Sequence, residues 1–507
     1  MNKSSKKSSI FNFLQKAVNV IFLVWMIMTF TGAIRSDHLN ISAISPELFI
    51  IIIVFILVLI AYFKSHYLNS LLKKVGQGLI KHQFVVLSVL SMLVIAWQLL
   101  FIFKTKTAIG FDVGGVVSQA LNGTSTNDYF SYNPNNLPLL FEEYFWKNHF
   151  GGSWFSFDIL SLVSTDFAFL ITVLTTRYLS KKNMYITWIL SLILLSCFPY
   201  IIVPYTDTLV LPLVSLALLG YFMIKKSNHI FVKLLGSLLL GVFGASAYLL
   251  KPSAIIFVIA IIVTEVVYSI FKSKKFKPLY TVLILLLAFG SGIGIKKTYD
   301  SYQNKQEYIK VDHSMRKPPL MFLAMGMSGN GGFDMGLTLQ TMAAPTQHEK
   351  KEIASERIKK TLKDYGPVGY VQFLLAKNTF NTADGSFGWL QEGNFITAPA
   401  TNNLQQLVYP DGKHLKDFFF VTQVLWILLI LILIIRYRLP KSSESIAFLL
   451  KLSIIGSLMY LLLFEGGRSR YVIQFLPQFI MLASIVVTAY LSKKPLKHQP
   501  VSDTESK

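Results

Sequence analysis

The chain has 507 residues, of which 53% are hydrophobic and only 15% charged, where soluble domains carry roughly a quarter charged residues, so it reads as an integral membrane protein. Its formal charge of +22 sits in lysine clusters between apolar runs, the pattern of membrane orientation rather than of a nucleic-acid groove. The single cysteine, Cys197, excludes an intramolecular disulfide and a thiolate metal cluster.

In chain order, apolar runs of about 20 residues, the length needed to cross a bilayer, fall near 17–34, 47–63, 84–103, 157–176, 184–203, 208–224, 231–250, 253–271, 279–296, 418–435, 446–464 and 471–491. The fold expected is all-α, with about twelve transmembrane helices. The basic N-terminus (Lys3, Lys6, Lys7, Lys16) imitates a signal peptide, but the second run follows closely and a retained first span is the better reading. Alternate connections hold the cations: Lys64/Lys73/Lys74/Lys81, Arg177/Lys181/Lys182, Lys225/Lys226, Lys272/Lys274/Lys275/Lys277 and Arg436/Arg438/Lys441. The positive-inside rule then places both termini in the cytoplasm and makes the protein a multi-pass one of the cell membrane.

On that topology the 104–158 loop, the turns at Asp207 and Lys251, residues 298–417 and the short loop 465–470 all lie outside. The expected organisation is an N-terminal membrane module (1–297, with the loop 104–158), an extracytoplasmic segment (298–417) and a C-terminal membrane module with a basic tail (418–507). Within the long segment, Gln347 to Asp364 reads as a solvated charged helix, and Gly366 to Asn378 as a short apolar stretch suited to the bilayer surface. The Gly-rich turns 326–334 and 383–389 lack the Gly-Lys-Ser/Thr of a phosphate loop, so nothing points to a nucleotide.

Candidate chemistry gathers on the outer side. Asp112 opens Gly110-Phe111-Asp112-Val113-Gly114-Gly115, and Asp207 sits in Pro204-Tyr205-Thr206-Asp207. Lys251 begins a Lys-Pro turn, and Arg468 and Arg470 flank Ser469. Each has a structural alternative: Asp207 as a helix N-cap, Lys251 as a snorkelling cation, Glu465 as the neutraliser of an arginine. Two arginines in a short outer loop oppose the charge rule, and a phosphate is the natural partner of a guanidinium fork. Asp158 and Asp166, inside the fourth run, are acids in costly surroundings. Glu265 lies toward the other side, and His149 and His313 lack a second ligand at metal spacing. No cofactor is called for, and a divalent metal is neither required nor ruled out.

An outward-facing acid without nucleotides suits transfer from a lipid-phosphate donor, which needs a base for the acceptor's proton and cations for the leaving phosphate. Asp112 fits the first role; Lys251, Arg468 and Arg470 fit the second.

These residues carry a likeness. Asp112 in GFDVGGVVSQALNG, the phrase YFSYNPNNLPLLF with Tyr132 and Asn135, PYTDTLVLPL with Asp207, LLKPSAIIF with Lys251 and the closing GRSRYVIQFLP together resemble the polytopic GT-C glycosyltransferases, the class that includes the family 39 protein mannosyltransferases. The resemblance covers most of the chain. It implies a loop aspartate, Asp112, as catalytic base, with Asp207 as a second acid and Lys251, Arg468 and Arg470 on the lipid phosphate. It also implies an undecaprenyl-phosphate-linked sugar as donor and a cell-envelope acceptor such as a wall polymer, teichoic acid or glycolipid. The chain departs from it at Asp112-Val113, where many relatives carry Asp-Glu; Glu142-Glu143 is a candidate second acid without a matching motif. The alternative is a transporter or flippase of lipid-linked saccharides. Transporters concentrate polar groups at the midplane between repeated halves, whereas here they gather at the outer rim and no repeat is visible.

Overall fold

The computed structural model describes residues 3–123, 127–272, 278–435, 440–464 and 466–492. Lys274, Lys275, Lys277, Arg436, Arg438 and Glu465 lie outside the described residues. The longer helices are α1 (Lys3–Ile34), α2 (Pro46–Lys64), α3 (His66–Lys81), α4 (Gln83–Thr105), α5 (Phe111–Asn122), α6 (Leu137–Phe150), α7 (Trp154–Thr176), α8 (Lys181–Ser196) and α9 (Thr206–Lys226). They continue with α10 (Ile230–Leu250), α11 (Ile256–Lys272), α12 (Pro278–Lys305), α13 (Gln347–Thr382), α14 (Leu415–Ile434), α15 (Glu444–Leu463) and α16 (Leu476–Leu491). Among the described residues the only β pairing is an isolated bridge between Ile109 and Ile396. The protein is an all-α integral membrane protein.

Among the described residues, eleven helices are long and apolar enough to cross a membrane. The expected run 184–203 divides into the sixteen-residue α8 and a 3-10 turn at Pro199–Ile202, because Pro199 cannot continue the helix. Helix starts follow local chemistry. Ser45 accepts from Leu48 N ahead of Pro46, Ser153 from Ser156 N, and Ser180 from Asn183 N. Thr346 Oγ1 caps the start of α13, accepting from Glu349 N and donating to Glu349 Oε1.

Apolarity does not decide depth in the bundle. None of the membrane window of α2 or α12 is buried by the rest of the chain, whereas 83% of the window that ends in α16 is. The closing helix is therefore the axis, and α2 and α12 face lipid. The lysine-bearing connection before α4 is a helix rather than an open loop: α3 sets Leu71, Val75 and Leu79 one turn apart, with Lys73, Lys74 and Lys81 among them.

Helices α9 and α10 pack along their length with glycine at the closest point. A Cβ on Gly220 would stand 2.5 Å from the carbonyl of Gly236, and one on Gly236 would meet the carbonyl of Gly220 at the same distance. Small residues let the backbones touch, which is how helices gain contact where no hydrophobic driving force acts between them. At the end of the bundle away from residues 104–158, Lys225 pairs with Glu265 at 2.7 Å, and Tyr221 donates to the same carboxylate.

The segment 298–417 folds over the other end, called the loop end below. A break at Gly366 (φ 58°) before Pro367 divides α13 into the charged and apolar halves read from the sequence. The apolar half docks on α1, where Trp25 donates to Asn378 Oδ1 at 2.7 Å. The fully buried Lys377 donates to the carbonyls of Gly326 and Phe464, both at 2.6 Å, which joins this segment to the end of α15.

Gly236→Leu should force α9 and α10 apart at a cost of about 1–3 kcal/mol. The check is the thermal midpoint of detergent-purified protein, which should fall; an unchanged midpoint would contradict the close packing.

Candidate functional site

Asp112 lies in the first turn of α5, where the helix dipole favours a carboxylate, and is exposed. The approach to it is constrained. Gly110 N donates to Phe395 O at 3.0 Å, the Ile109–Ile396 bridge lies beside it, and Phe111 is held at φ 47°, a left-handed conformation rare for an aromatic residue. Strain of this kind persists where the surroundings over-determine it, and it clusters at functional sites.

Three side chains orient the carboxylate. Tyr205 Oη donates to Asp112 Oδ2 at 3.2 Å, and Tyr129 also hydrogen-bonds Asp112. Asn136 Nδ2 donates to Tyr129 Oη at 2.5 Å and to Tyr205 Oη at 3.4 Å. Burial first, and then the charge of Asp112, push both phenols well above their usual range, so they stay protonated and able to donate.

Beside this group runs a chain of alternating charges. Lys251 Nζ meets Asp207 Oδ1 at 2.5 Å, and Asp207 Oδ2 meets Arg470 Nε at 3.3 Å. Arg470 Nη1 meets Glu392 Oε2 at 2.9 Å, and Glu392 Oε1 accepts from Arg468 Nη1 at 2.9 Å. The Arg470 contacts are ion pairs without aligned hydrogen bonds. The Arg470 guanidinium carbon also lies 5.1 Å from the ring centre of Phe111 and 5.3 Å from those of Tyr205 and Tyr471, so one aromatic layer separates it from Asp112.

Four elements deliver these groups: the start of α9, the turn after α10, a strap at 384–396, and a 3-10 stretch at Ser469–Phe475. Seven residues is long for a 3-10 helix, and this one is pinned by Ser253 Oγ, which donates to Gln474 Oε1 at 2.8 Å. The strap is shaped by Asp384, which accepts from the backbone of Ser386 and Gly388, and by Phe387 at φ 56°. Tyr200 fastens it, donating to Phe387 O at 2.5 Å with its ring against Trp389.

Of the residues singled out from sequence, Asp112, Asp207, Lys251, Arg468 and Arg470 come together. Asp207 is 1% exposed and does not cap its helix with its side chain; it is the counter-ion of Lys251 and Arg470. The side chain of Arg468 is 27% exposed against 5% for Arg470, so Arg468 is the arginine open to an incoming anion. Tyr132 and Asn135 stand elsewhere. The carbonyl of Tyr132 accepts from Lys317 N and its ring lies under Lys350, while Asn135 bonds only to Asn136 among the contacts described. Their phrase docks on the segment 309–317, where Ser131 Oγ accepts from Asp312 N and Asn133 Oδ1 from Lys317 Nζ. The residue of that phrase that bonds Asp112 is Tyr129, and Asn136 acts through the hydroxyls of Tyr129 and Tyr205. Glu392 was not singled out either, being one acid among several in a long polar segment, with no spacing to mark it.

The other acids lie apart. Asp166 accepts from Gln98, and Asp158 is buried with both oxygens unpartnered. On α6, burial raises Glu142 to about 8, and burial with the charge of Glu142 raises Glu143. Among the described residues no group of three or more His, Cys, Asp and Glu is placed to hold a metal ion.

Fold and site together define a polytopic, all-helical membrane protein with an exposed acid beside a buried ion chain at one end of its bundle. Residues 10–491 match the model of a family described as conserved hypothetical integral membrane protein, and the chain belongs to that family. Neither the curated proteins nor the solved structures contain a match.

Glu392→Gln leaves two guanidiniums short of a counter-charge and should cost about 3–5 kcal/mol of stability. Adding Arg470→Met should recover part of that loss in a double-mutant cycle, read by thermal unfolding; strict additivity would mean that the pair does not interact. A second expectation concerns pH. Glu142 stays protonated in the fold up to about 8 but ionises near its ordinary value when unfolded, so its contribution is full below that ordinary value and drains as pH rises toward 8. Glu142→Gln should therefore match the parent protein near pH 4.5 and melt at a higher temperature than the parent at pH 8.

Proposed function

We propose that this protein is a membrane glycosyltransferase of GT-C type, moving a sugar from a polyprenyl-phosphate-linked donor, such as undecaprenyl phosphate, to a cell-envelope acceptor. The observation that carries the reading is the pairing of an exposed, tyrosine-oriented Asp112 with a cation-rich chain one aromatic layer away. An acid held ready beside guanidiniums supplies the two things the transfer needs. Asp112 takes the proton of the acceptor hydroxyl as its oxygen bonds to the anomeric carbon. The bond from that carbon to the phosphate oxygen breaks, and the phosphate leaves with the electron pair.

Arg468, the more exposed arginine, receives the phosphate, while Lys251, Asp207, Glu392 and Arg470 hold it in place. Tyr205 and Tyr129 keep Asp112 aimed, and Asn136 keeps the tyrosines aimed. The lysine-rich connections occupy the opposite end, which supports an outward-facing site and cytoplasmic termini. On that face a lipid-phosphate donor is available and a nucleotide donor is not.

Reconstituted with polyprenyl-phosphate sugar and a lipid acceptor, Asp112→Asn should lower transfer by roughly 10²–10⁴-fold while donor lipid still binds. Arg468→Ala should weaken donor binding. Wild-type turnover by Asp112→Asn would rule out the base, and saccharide flux into sealed vesicles without acceptor would favour translocation instead. Mass analysis of envelope polymers from a deletion strain would name the sugar.

A further inference from the structure

A cavity of about 340 Å³ opens on the flank of the bundle near the loop end, within the range of small-molecule sites, roughly 300–1,000 Å³. Its walls are the start of α2 (Leu48, Ile51), the later part of α4 (Trp97, Phe101), the end of α8 with the turn that follows, and the start of α14 (Phe418, Val421). The lining is almost wholly apolar and includes no lysine or arginine. Ser45, Glu47, Gln98, Ser196, His414 and Asp417 are its polar members, and the last two pair with each other at 2.9 Å.

The cavity has a cause in the chain. At about 1.5 Å per residue, the sixteen residues of α8 reach roughly 24 Å, short of the roughly 30 Å hydrocarbon core of a bilayer. Beyond Ser196 the chain turns through Pro199–Ile202 instead of completing the span. Cys197, Phe198, Pro199 and Ile201 from that turn line the cavity, so the notch is the space a full-length span would fill. On its outer side stands α2, in whose membrane window no residue is fully buried by the rest of the chain. An empty apolar notch forfeits contacts on one side, and bilayer lipid is the neighbour able to supply them.

We propose that this cavity binds one hydrocarbon chain of a bilayer phospholipid. The chain lies along Leu48, Ile51, Leu195, Phe418 and Val421, and the headgroup stays at the membrane surface. The absence of lysine and arginine makes the hydrocarbon, not a phosphate, the recognised part. The wall behind the cavity is the turn that contains Tyr200, whose hydroxyl and ring fasten the strap carrying Glu392. Trp389 Nε1 in turn donates to Val408 O at 2.8 Å, and Val408 lines the cavity. The lipid chain thus packs against the support of the charged site without entering it. The assignment is independent of the transferase reading.

The test uses the full chain in nanodiscs of phosphatidylcholine with a photoreactive diazirine in one acyl chain, followed by irradiation and peptide mass spectrometry. Adducts should concentrate on the cavity segments 48–51, 195–201 and 418–421, at several-fold higher yield than on the lipid-facing surface of α12. Leu48→Trp and Cys197→Trp each fill the notch from a different wall and should lower the cavity adducts at least five-fold while those on α12 persist. Adducts spread evenly over cavity and α12 in the parent protein, or undiminished in the folded Trp variants, would overturn the proposal. The comparison within the parent protein decides the matter even if one variant fails to fold.

Discussion

Two buried carboxylates each shared between two cations hold the loop end together. Asp207 lies between Lys251 and Arg470, and Glu392 lies between Arg470 and Arg468. Removing a charge from water costs several kcal/mol per ion, a cost offset only when every neighbour is present. The arrangement therefore acts as a unit. It fixes the ends of α9 and α10, the strap 384–396 and the 3-10 stretch before α16 relative to one another, and three of these meet Asp112 or the two residues before it through Tyr205, Phe395 and Arg470.

The aromatic residues give this ion chain its reach. The Arg470 guanidinium lies over the rings of Phe111, Tyr205 and Tyr471 while its nitrogens meet the carboxylates. Lys251 does the same on a smaller scale, pairing with Asp207 while its ammonium lies 5.2 Å from the centre of the Tyr471 ring. Phe111 precedes Asp112, and Tyr205 both lies against Arg470 and donates to Asp112, so the position of the exposed acid depends on the buried cation through one layer of rings. The left-handed Phe111 packs in this layer against Tyr205 and Phe395, whereas the left-handed Phe387 packs separately, against Phe198 and Trp426.

Much of this was legible in the chain, for reasons that differ by residue. The spans were readable because about 20 apolar residues in a row is a local property, and the divide in α13 because Gly366-Pro367 is a local break. Arg468 and Arg470 stood out because they oppose the charge pattern of the other loops. Asp112 stood out as an acid in a glycine-rich phrase after a span. Nothing local separated Asn136 from Asn135, or Tyr129 from Tyr132: the choice rests on which side of a short helical turn meets Tyr205, a residue from another part of the chain. Glu392 was illegible for the same reason, since its partners come from the last loop.

The sequence by itself determined the membrane class, the all-helical fold, the positions of the spans other than the run 184–203, and the set of charged residues at the turns between spans, because hydropathy and charge spacing act along the chain. Tertiary structure decided that the most apolar flank helix, α2, faces lipid while α16 forms the axis, and that the short α8 leaves a notch. It also decided that Asp207 and Glu392 are consumed as counter-ions while Asp112 stays open. Those outcomes depend on which distant segments share a volume, and a buried charge takes its partner from whatever the fold brings within about 3–4 Å, a distance unrelated to separation along the chain.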